Sequence, residues 1–204
     1  MNADAVKVAV FIDWQNTYKT AREAFGWRDF PNEYGNYSPY QLARVLTAGN
    51  GRGTDGELVR VNVHRGLPSQ KYDPKGYAAN RRQAAAWVKE GPGIVVPRLR
   101  PLRYSRDPNE APREKGVDVE LALEAVEWTL TGKRRVAVVF SHDTDLVPVV
   151  DMLYRLKGAT CIETASWISP TYNQRIRTSA PTYHHGISEA VFGRVETRVN
   201  YAHP

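Results

Sequence analysis

The sequence contains a single cysteine, Cys161, among 204 residues, and this scarcity excludes several classes of protein. One thiol can form neither an internal disulfide nor the Cys/His spacing of a structural zinc site. No apolar run is long enough to span a bilayer, and Met1 is not followed by the basic and apolar regions of a signal peptide. Internal repeats are also missing, which excludes solenoids and propellers. We therefore expect a reduced, cytoplasmic protein with no membrane partner.

What is present is the composition of an ordinary folded domain with a basic balance. Hydrophobic residues make up 42% and charged residues 25% of the chain, which argues against broad disorder. The length suits one domain, whose core we place at about residues 5–165, with a C-terminal extension at about 166–204. A formal net charge of +6 and a pI of about 9.5 favour a polyanionic partner. The sequence leaves open whether the protein forms a homo-oligomer.

Apolar segments alternate with helical patterns along the chain. Buried strands are predicted at about 6–12, 57–64, 136–140 and 159–165, and an edge strand at 93–102, where prolines interrupt the pattern. Helices are predicted at about 18–25, 39–48, 73–90, 115–130 and 145–157, with a short one near 170–178 and a turn around 184–186. Such alternation predicts a three-layer α/β/α fold with a mainly parallel central sheet and helices on both faces.

Aspartates follow two of the predicted strands directly. Asp13 ends the first strand, and Asp143 and Asp145 follow the strand at 136–140. The carboxyl ends of parallel strands lie along one edge, where open α/β sheets bind ligands. Carboxylates gathered there repel one another, and a divalent cation such as Mg²⁺ or Mn²⁺ removes the repulsion. In the alternative interpretation, Asp143 caps the following helix and Asp145 lies in its first turn.

The predicted helix at 115–130 supplies a third carboxylate near its start, Asp118. Glu124 lies six residues further on, which on a regular helix is a rotation of about 120°. Only an irregular helix start, which Gly116 permits, could direct both side chains at one ion. The alternative for Asp118 is that it complements the helix dipole.

Three segments together resemble the NYN domain family, a branch of the PIN-like nucleases. Residues 13–16, DWQN, resemble the DxxN sequence that opens the family's domain after a buried strand. Residues 115–124, KGVDVELALE, are similar to its KGVDV-x-LA-x-D helix, and residues 141–150, SHDTDLVPVV, to its SGDSDF-x-PLV segment. The chain departs from the pattern at His142, which replaces a glycine, and at Glu124, which replaces an aspartate.

The resemblance implies a PIN-like fold and a metal-dependent endoribonuclease that uses Mg²⁺ or Mn²⁺ to hydrolyse single-stranded or structured RNA. By the same resemblance, the catalytic residues are Asp13, Asn16, Asp118, Asp143 and Asp145, and the four aspartates would bind the metal directly or through water. Asn16 would hydrogen-bond Asp13, a metal-bound water or the scissile phosphate. The residues that would orient the metal ligands are Glu124, Ser141 and Thr144.

Substrate contacts are predicted at four positions. Arg65, at the end of its strand, and Lys115, at the start of the second segment's helix, would bind the phosphate backbone. Trp14 would either stack on a base or pack in the core. His142 would border the substrate because it lies in the predicted metal loop.

Two other functions stay open on the sequence alone. The first is an RNA-binding module with a degenerate or weakly active acidic pocket, in which His142 prevents productive metal placement. The second is a small-molecule phosphatase that uses an aspartyl nucleophile. Against the phosphatase, Asp13 is followed by Trp14, Gln15 and Asn16 and not by a second aspartate two residues on.

Overall fold

A six-stranded, fully parallel sheet forms the centre of the computed structural model, which describes residues 5–48, 56–107, 109–179 and 181–203. The strands are β1 (Val6–Asp13), β2 (Gly56–Leu67), β3 (Val95–Pro101), β4 (Arg135–Phe140), β5 (Ile162–Trp167) and β6 (Tyr183–Ile187). Their order across the sheet is β3-β2-β1-β4-β5-β6. The order reverses between β1 and β4, which makes their carboxyl ends the topological switch point where such sheets form a crevice.

The helices of the described chain cover both faces of the sheet. They are α1 (Trp14–Ala24), α2 (Pro39–Thr47), α3 (Pro74–Glu90), α4 (Val117–Leu130), α5 (Val147–Lys157) and α6 (Glu189–Val195), and a short 3₁₀ turn spans Thr144–Leu146. Caps fix two of their starts: the Ser38 side chain accepts the Gln41 N–H at 3.0 Å, and Asp73 accepts the Gly76 N–H at 2.8 Å. None of these helices is both long and apolar enough to cross a membrane.

Alternate residues of the central strands enter two separate cores. Val8, Val10 and Ile12 of β1 pack in the core beneath α1, α2, α3 and α6, whereas Ala9 and Phe11 pack in the core beneath α4 and α5. Side chains alternate with a period of two along a strand, so Asp13 continues the second series and lies on the α4 side. Residues 137, 139 and 141 of β4 and its following loop form the matching series.

The predicted three-layer α/β/α architecture is confirmed, and β3 is an edge strand as its prolines indicated. The C-terminal part of the chain differs from the prediction. Residues 170–178 form no helix, and Ser169 and Tyr172 instead pair in an isolated bridge. Residues 184–186, predicted as a turn, lie within β6 at the other edge of the sheet.

Candidate metal centre

Asp13 is held at the junction of β1 and α1 by hydrogen bonds to both of its carboxylate oxygens. Its Oδ1 accepts the backbone N–H of Asn16 at 3.2 Å, which caps α1, and its Oδ2 accepts the Ser141 hydroxyl at 3.1 Å. Only 3% of the residue is exposed. The carboxylate is therefore fixed in direction and almost removed from bulk water.

The loop after β4 is tied to α1 and presents Asp143 beside Asp13. The Asn16 side-chain oxygen accepts the His142 N–H at 2.9 Å, and the Ser141 Oγ accepts the Asp143 N–H at 3.0 Å. The Asp143 Oδ1 also accepts the Asp145 N–H at 2.9 Å, at the start of the 3₁₀ turn. Asp143 thus caps this turn and also lies at the acidic site. Its two interpretations from the sequence, as a helix cap and as a carboxylate of a metal site, are therefore compatible.

Asp118 completes a cluster of three carboxylates. It lies in the first turn of α4, which follows the capping residue Gly116. The φ of Gly116 is 76°, in the left-handed region that favours glycine. Asp13, Asp118 and Asp143 each offer an oxygen, and these oxygens all lie within 4.8 Å of one another. Three elements far apart in sequence therefore converge at the switch point between β1 and β4.

Two carboxylates of the cluster, those of Asp13 and Asp118, have raised pKa values. Burial raises the pKa of Asp13 to about 7, and the nearby carboxylates of Asp118 and Glu114 add to the rise, against the lowering effect of the hydrogen bonds from Asn16 and Ser141. Burial also raises the pKa of Asp118, with further contributions from the negative charges of Asp143, Glu114 and Asp145. Carboxylates kept so close favour either a proton or a cation between them.

Glu114 is a member of this acidic surrounding that the sequence interpretation missed. Its Oε1 accepts the backbone N–H of Gly66 at 2.6 Å, which fixes the carboxylate beside the end of β2. From there it raises the pKa of both Asp13 and Asp118. The available signal was its position directly before Lys115 and Gly116, at the entry to α4.

Asp145 and Thr144 lie at the rim of the site. Both side chains are exposed, and Asp145 is outside the three-oxygen cluster although its charge contributes to the raised pKa of Asp118. The Thr144 hydroxyl makes no hydrogen bond to the cluster within the described residues, so it does not orient a metal ligand there. Ser141 does orient two cluster residues, because its hydroxyl donates to Asp13 and accepts the Asp143 N–H.

Glu124 belongs to a neighbouring polar group and not to the three-oxygen cluster. It accepts a hydrogen bond from the Asn62 side chain, forms an ion pair with Arg98 at 2.7 Å and lies 3.4 Å from the Nε2 of the buried His64. Burial raises its pKa, but His64 and Arg98 outweigh that effect and hold it below its ordinary value. The regular start of α4 turns Glu124 towards β2 and β3, so it makes no contact that would orient a metal-binding aspartate.

His142 points away from the carboxylates, contrary to the prediction that it borders the substrate. Its Nε2 accepts the Trp167 N–H at 3.1 Å, and its Nδ1 lies 2.9 Å from the Thr20 Oγ1. The Thr20 hydroxyl donates to the Asn16 carbonyl, so it accepts from the Nδ1–H of a neutral ring. Burial lowers the pKa of His142 to about 4, in agreement with this neutral state. The side chain is a connection between α1 and β5.

Trp14 also has a structural position. It is 1% exposed, and its ring packs on Tyr37 and Trp87 with centroid distances of 4.6 and 4.4 Å. Of its two predicted roles, the structure supports core packing and leaves no free face for a base.

The two predicted phosphate contacts lie in different environments. Arg65 is half-buried above the Trp14 ring, donates a hydrogen bond to Gln83 and forms no ion pair with any described residue. Burial lowers its pKa to about 10, so the guanidinium stays charged at neutral pH. Lys115 is exposed beside Gly116. Lys115 therefore adjoins the start of α4, which carries Asp118, whereas Arg65 lies over Trp14 on the other side of the sheet, near the end of β2.

Comparison with known proteins gives one family match. The family model of the NYN domain matches residues 7–184, a range that contains all three carboxylates of the cluster. No curated protein and no solved structure is significantly similar to the chain.

Proposed function

The chain belongs to the NYN domain family, and on that premise we propose that it is a metal-dependent endoribonuclease that hydrolyses RNA phosphodiester bonds. The observation that carries the proposal is the convergence of Asp13, Asp118 and Asp143, whose oxygens lie within 4.8 Å of one another. The basic net charge of +6 agrees with a polyanionic substrate.

The chemistry of these side chains fits a hard divalent cation. Carboxylate oxygens are the ligands that Mg²⁺ and Mn²⁺ prefer, and the cluster contains no thiolate or imidazole that would favour a softer metal. Asp13, Asp118 and Asp143 would hold the ion, and the exposed Asp145 would contribute through water. A cation also relieves the repulsion that raises the pKa of Asp13 and Asp118.

The protein's own groups would orient the reacting parts. A bound divalent cation supplies a nucleophilic water near neutral pH and stabilises charge on the phosphoryl oxygens. Ser141 fixes the Asp13 carboxylate, and the Asn16 side-chain oxygen holds the loop that carries Asp143. Because that oxygen is already used as an acceptor, the Asn16 carboxamide nitrogen is the group left to donate to a phosphate. Arg65, near the end of β2 on the Trp14 side of the sheet, would hold a neighbouring part of the RNA backbone.

The orientation of His142 bears on the rival function of a binding module without catalysis. That alternative required the imidazole to obstruct metal placement. Both ring nitrogens instead face Thr20 and Trp167, and the ring lies outside the carboxylate cluster. The substitution of histidine for the family's glycine therefore gives no steric reason for inactivity.

The test is cleavage of end-labelled single-stranded RNA in Mn²⁺, in Mg²⁺ and in EDTA. We expect cleavage with a divalent cation, its loss in EDTA and its loss in Asp143→Asn. The matched control is Asp29→Asn, the same change at an exposed loop position, which should cleave like the wild type. Tight RNA binding without cleavage in any condition would instead identify a binding module, and phosphate release from a small ester with intact RNA would identify a phosphatase.

A further inference from the structure

A cleft of about 620 Å³ opens on the other side of the sheet from the acidic cluster. Its walls are the start of α1, the loop at 31–36, the middle of α3 and the chain segment 199–203, and Arg65 lies in its wall. The volume is within the range of roughly 300–1,000 Å³ that is usual for small-molecule sites. None of the aspartates of the cluster lines it.

Carboxamide side chains dominate the polar lining of this cleft. Six of the chain's fifteen asparagines and glutamines lie there: Gln15, Asn32, Asn36, Asn80, Gln83 and Asn200. A carboxamide presents a donor and an acceptor side by side, as do the edges of nucleobases, and asparagine and glutamine are standard partners of base edges. The phenol rings of Tyr18 and Tyr201 line the same space and offer surfaces for stacking.

The orientation of the central carboxamides is fixed by their neighbours. The Arg65 guanidinium, which can only donate, bonds to the Gln83 Oε1. The Gln83 Nε2 then donates to the Asn36 Oδ1 at 3.2 Å, and the Asn36 Nδ2 donates to the Val199 carbonyl at 3.3 Å. Each of these two nitrogens keeps a second N–H. The side-chain nitrogens of Gln83 and Asn36 are therefore held in fixed orientations as hydrogen-bond donors. Fixed donors are needed to distinguish one base from another.

Asn80 adds an acceptor of fixed direction. Its Nδ2 donates to the Gly76 carbonyl at 2.9 Å within α3, which orients the side chain. Its Oδ1 is buried and accepts no hydrogen bond from a described residue. A buried acceptor without a donor costs free energy, and a ligand N–H would remove that cost.

The cleft and the acidic cluster flank the same strand ends. Trp14 and Gln15 follow Asp13 directly, and Arg65 follows His64, which is paired with Asp13 across β1 and β2. The charge of Glu114 acts on both Arg65 and Asp13, so the two sites are electrostatic neighbours. A polynucleotide that crosses the ends of β1 and β2 can place a phosphate at the cluster and an adjoining base in the cleft.

We propose that this cleft binds the base of a nucleotide next to the scissile phosphate and thereby selects where the RNA is cut. The proposal rests on the function proposed above for the identity of the polymer. The segment 199–203 would form part of the selecting wall, because the Arg82 guanidinium holds the Tyr201 carbonyl at 2.8 and 2.6 Å.

Side-chain N–H₂ groups give separate signals in a ¹⁵N–¹H correlation spectrum. The carboxamides that line the cleft can therefore report directly on nucleotide binding. We would titrate the labelled protein in EDTA, where metal-dependent cleavage is absent, with AMP, GMP, CMP and UMP in turn. The carboxamide signals of Asn36, Asn80 and Gln83 should move. The affinities of the best and the worst nucleotide should differ by about tenfold or more, as one bidentate pair provides. Equal affinities for all four, or signals that move only outside the cleft, would overturn the proposal.

Two variants test the contribution of the carboxamides. Asn80→Leu keeps the shape of the side chain and removes its hydrogen-bonding groups, and it should bring the four affinities to within about threefold. Asn173→Leu makes the same change at an exposed position outside the cleft and should leave the discrimination intact. If thermal melting shows that Asn80→Leu does not fold, Gln15→Leu at the partly exposed wall takes its place. Undiminished discrimination in the folded variant contradicts the proposal.

A random-sequence RNA cleaved in Mn²⁺ separates this proposal from the nuclease function. Base preference beside the cut, lost in Asn80→Leu, supports both. Discrimination among free nucleotides by a protein that cuts no RNA supports the cleft and refutes the nuclease. Cleavage without base preference, together with equal nucleotide affinities, refutes the cleft alone.

Discussion

Replacing Asp13 by asparagine should stabilise the metal-free protein at pH 8, although the residue is buried and hydrogen-bonded. The pKa of Asp13 rises from 3.8 to about 7, mainly through burial. One pKa unit corresponds to about 1.4 kcal/mol, so keeping the carboxylate ionised in the folded chain costs roughly 4 kcal/mol. Asparagine caps helices about as well as aspartate, and about 1 kcal/mol is lost from the weaker bond to Ser141. We therefore expect a net gain of about 3 kcal/mol in the free energy of unfolding.

The stability difference between Asp13→Asn and the wild type should depend on pH. Between pH 4 and 7 the folded protein keeps a proton on Asp13 that the unfolded chain releases, so stability falls as pH rises through this range. The lowered pKa of His142, about 4, acts in the opposite direction, because the unfolded chain takes up a proton below pH 6.5. His142 is common to both proteins, so its effect cancels in the difference. At pH 4 the gain should be absent and only the loss of about 1 kcal/mol from the weaker bond to Ser141 should remain, whereas above pH 7 the full gain should appear.

Urea unfolding in EDTA at several pH values from 4 to 8 measures this difference. The control is Asp73→Asn, which changes the capping residue of α3 at an exposed position and should show no comparable rise with pH. Adding Mn²⁺ should reverse the order, because an ion present at a thousand times its Kd stabilises the wild type by about 4.1 kcal/mol, which exceeds the expected gain of the variant. A variant that is less stable than the wild type at pH 8 in EDTA would refute the reasoning and identify the carboxylate as a structural cap.

Three further predictions concern single side chains. Asp118→Asn should abolish cleavage and leave the melting temperature unchanged or higher, since it removes repulsion; a large fall in melting temperature would mean a structural role. Arg65→Gln should weaken RNA binding and lower the slope of log K against log salt by about 1, whereas Arg81→Gln on the exposed face of α3 should change neither by a comparable amount. His142→Asn should lower the free energy of unfolding by about 1–3 kcal/mol while the activity of the folded fraction persists. Loss of activity at unchanged stability would instead indicate that His142 takes part directly in catalysis.

Much of the acidic site could be predicted because parallel strands impose a common edge and a period of two. Asp13 and Asp143 end adjacent strands, so a buried, parallel β1 and β4 bring them together without further information. Asp118 needed the resemblance to known sequences, because a carboxylate in the first turn of a helix is equally consistent with the helix dipole.

The positions of Trp14 and His142 depend on partners distant in sequence. Trp14 follows Asp13, but the start of α1 turns it to the opposite face, where Tyr37 and Trp87 enclose it. His142 is directed by a hydrogen bond to Thr20, 122 positions away. Neither contact has a local pattern that a single sequence displays.

Strand β6 was missed for a related reason. Its sequence, YHHGI, lacks the apolar run of a buried strand because polar pairs across the strands stabilise it. His184 bonds to the hydroxyls of Thr164 and Ser166, and His185 bonds to Glu163 at 2.6 Å. Hydrophobic periodicity finds strands that bury apolar side chains, and β6 forms its contacts with polar ones.

The strand order divides the chain into two halves that meet along β1 and β4. The first half contributes β1, β2, β3 and Asp13, whereas the second contributes the other strands, Asp118 and Asp143. Helix α4 of the second half packs across β1 and β2 of the first. A break in the exposed segment 109–111 would thus leave two fragments that each contain part of the carboxylate cluster. Such fragments, produced separately, should associate with higher affinity in Mn²⁺, because carboxylates from both fragments would bind the same ion.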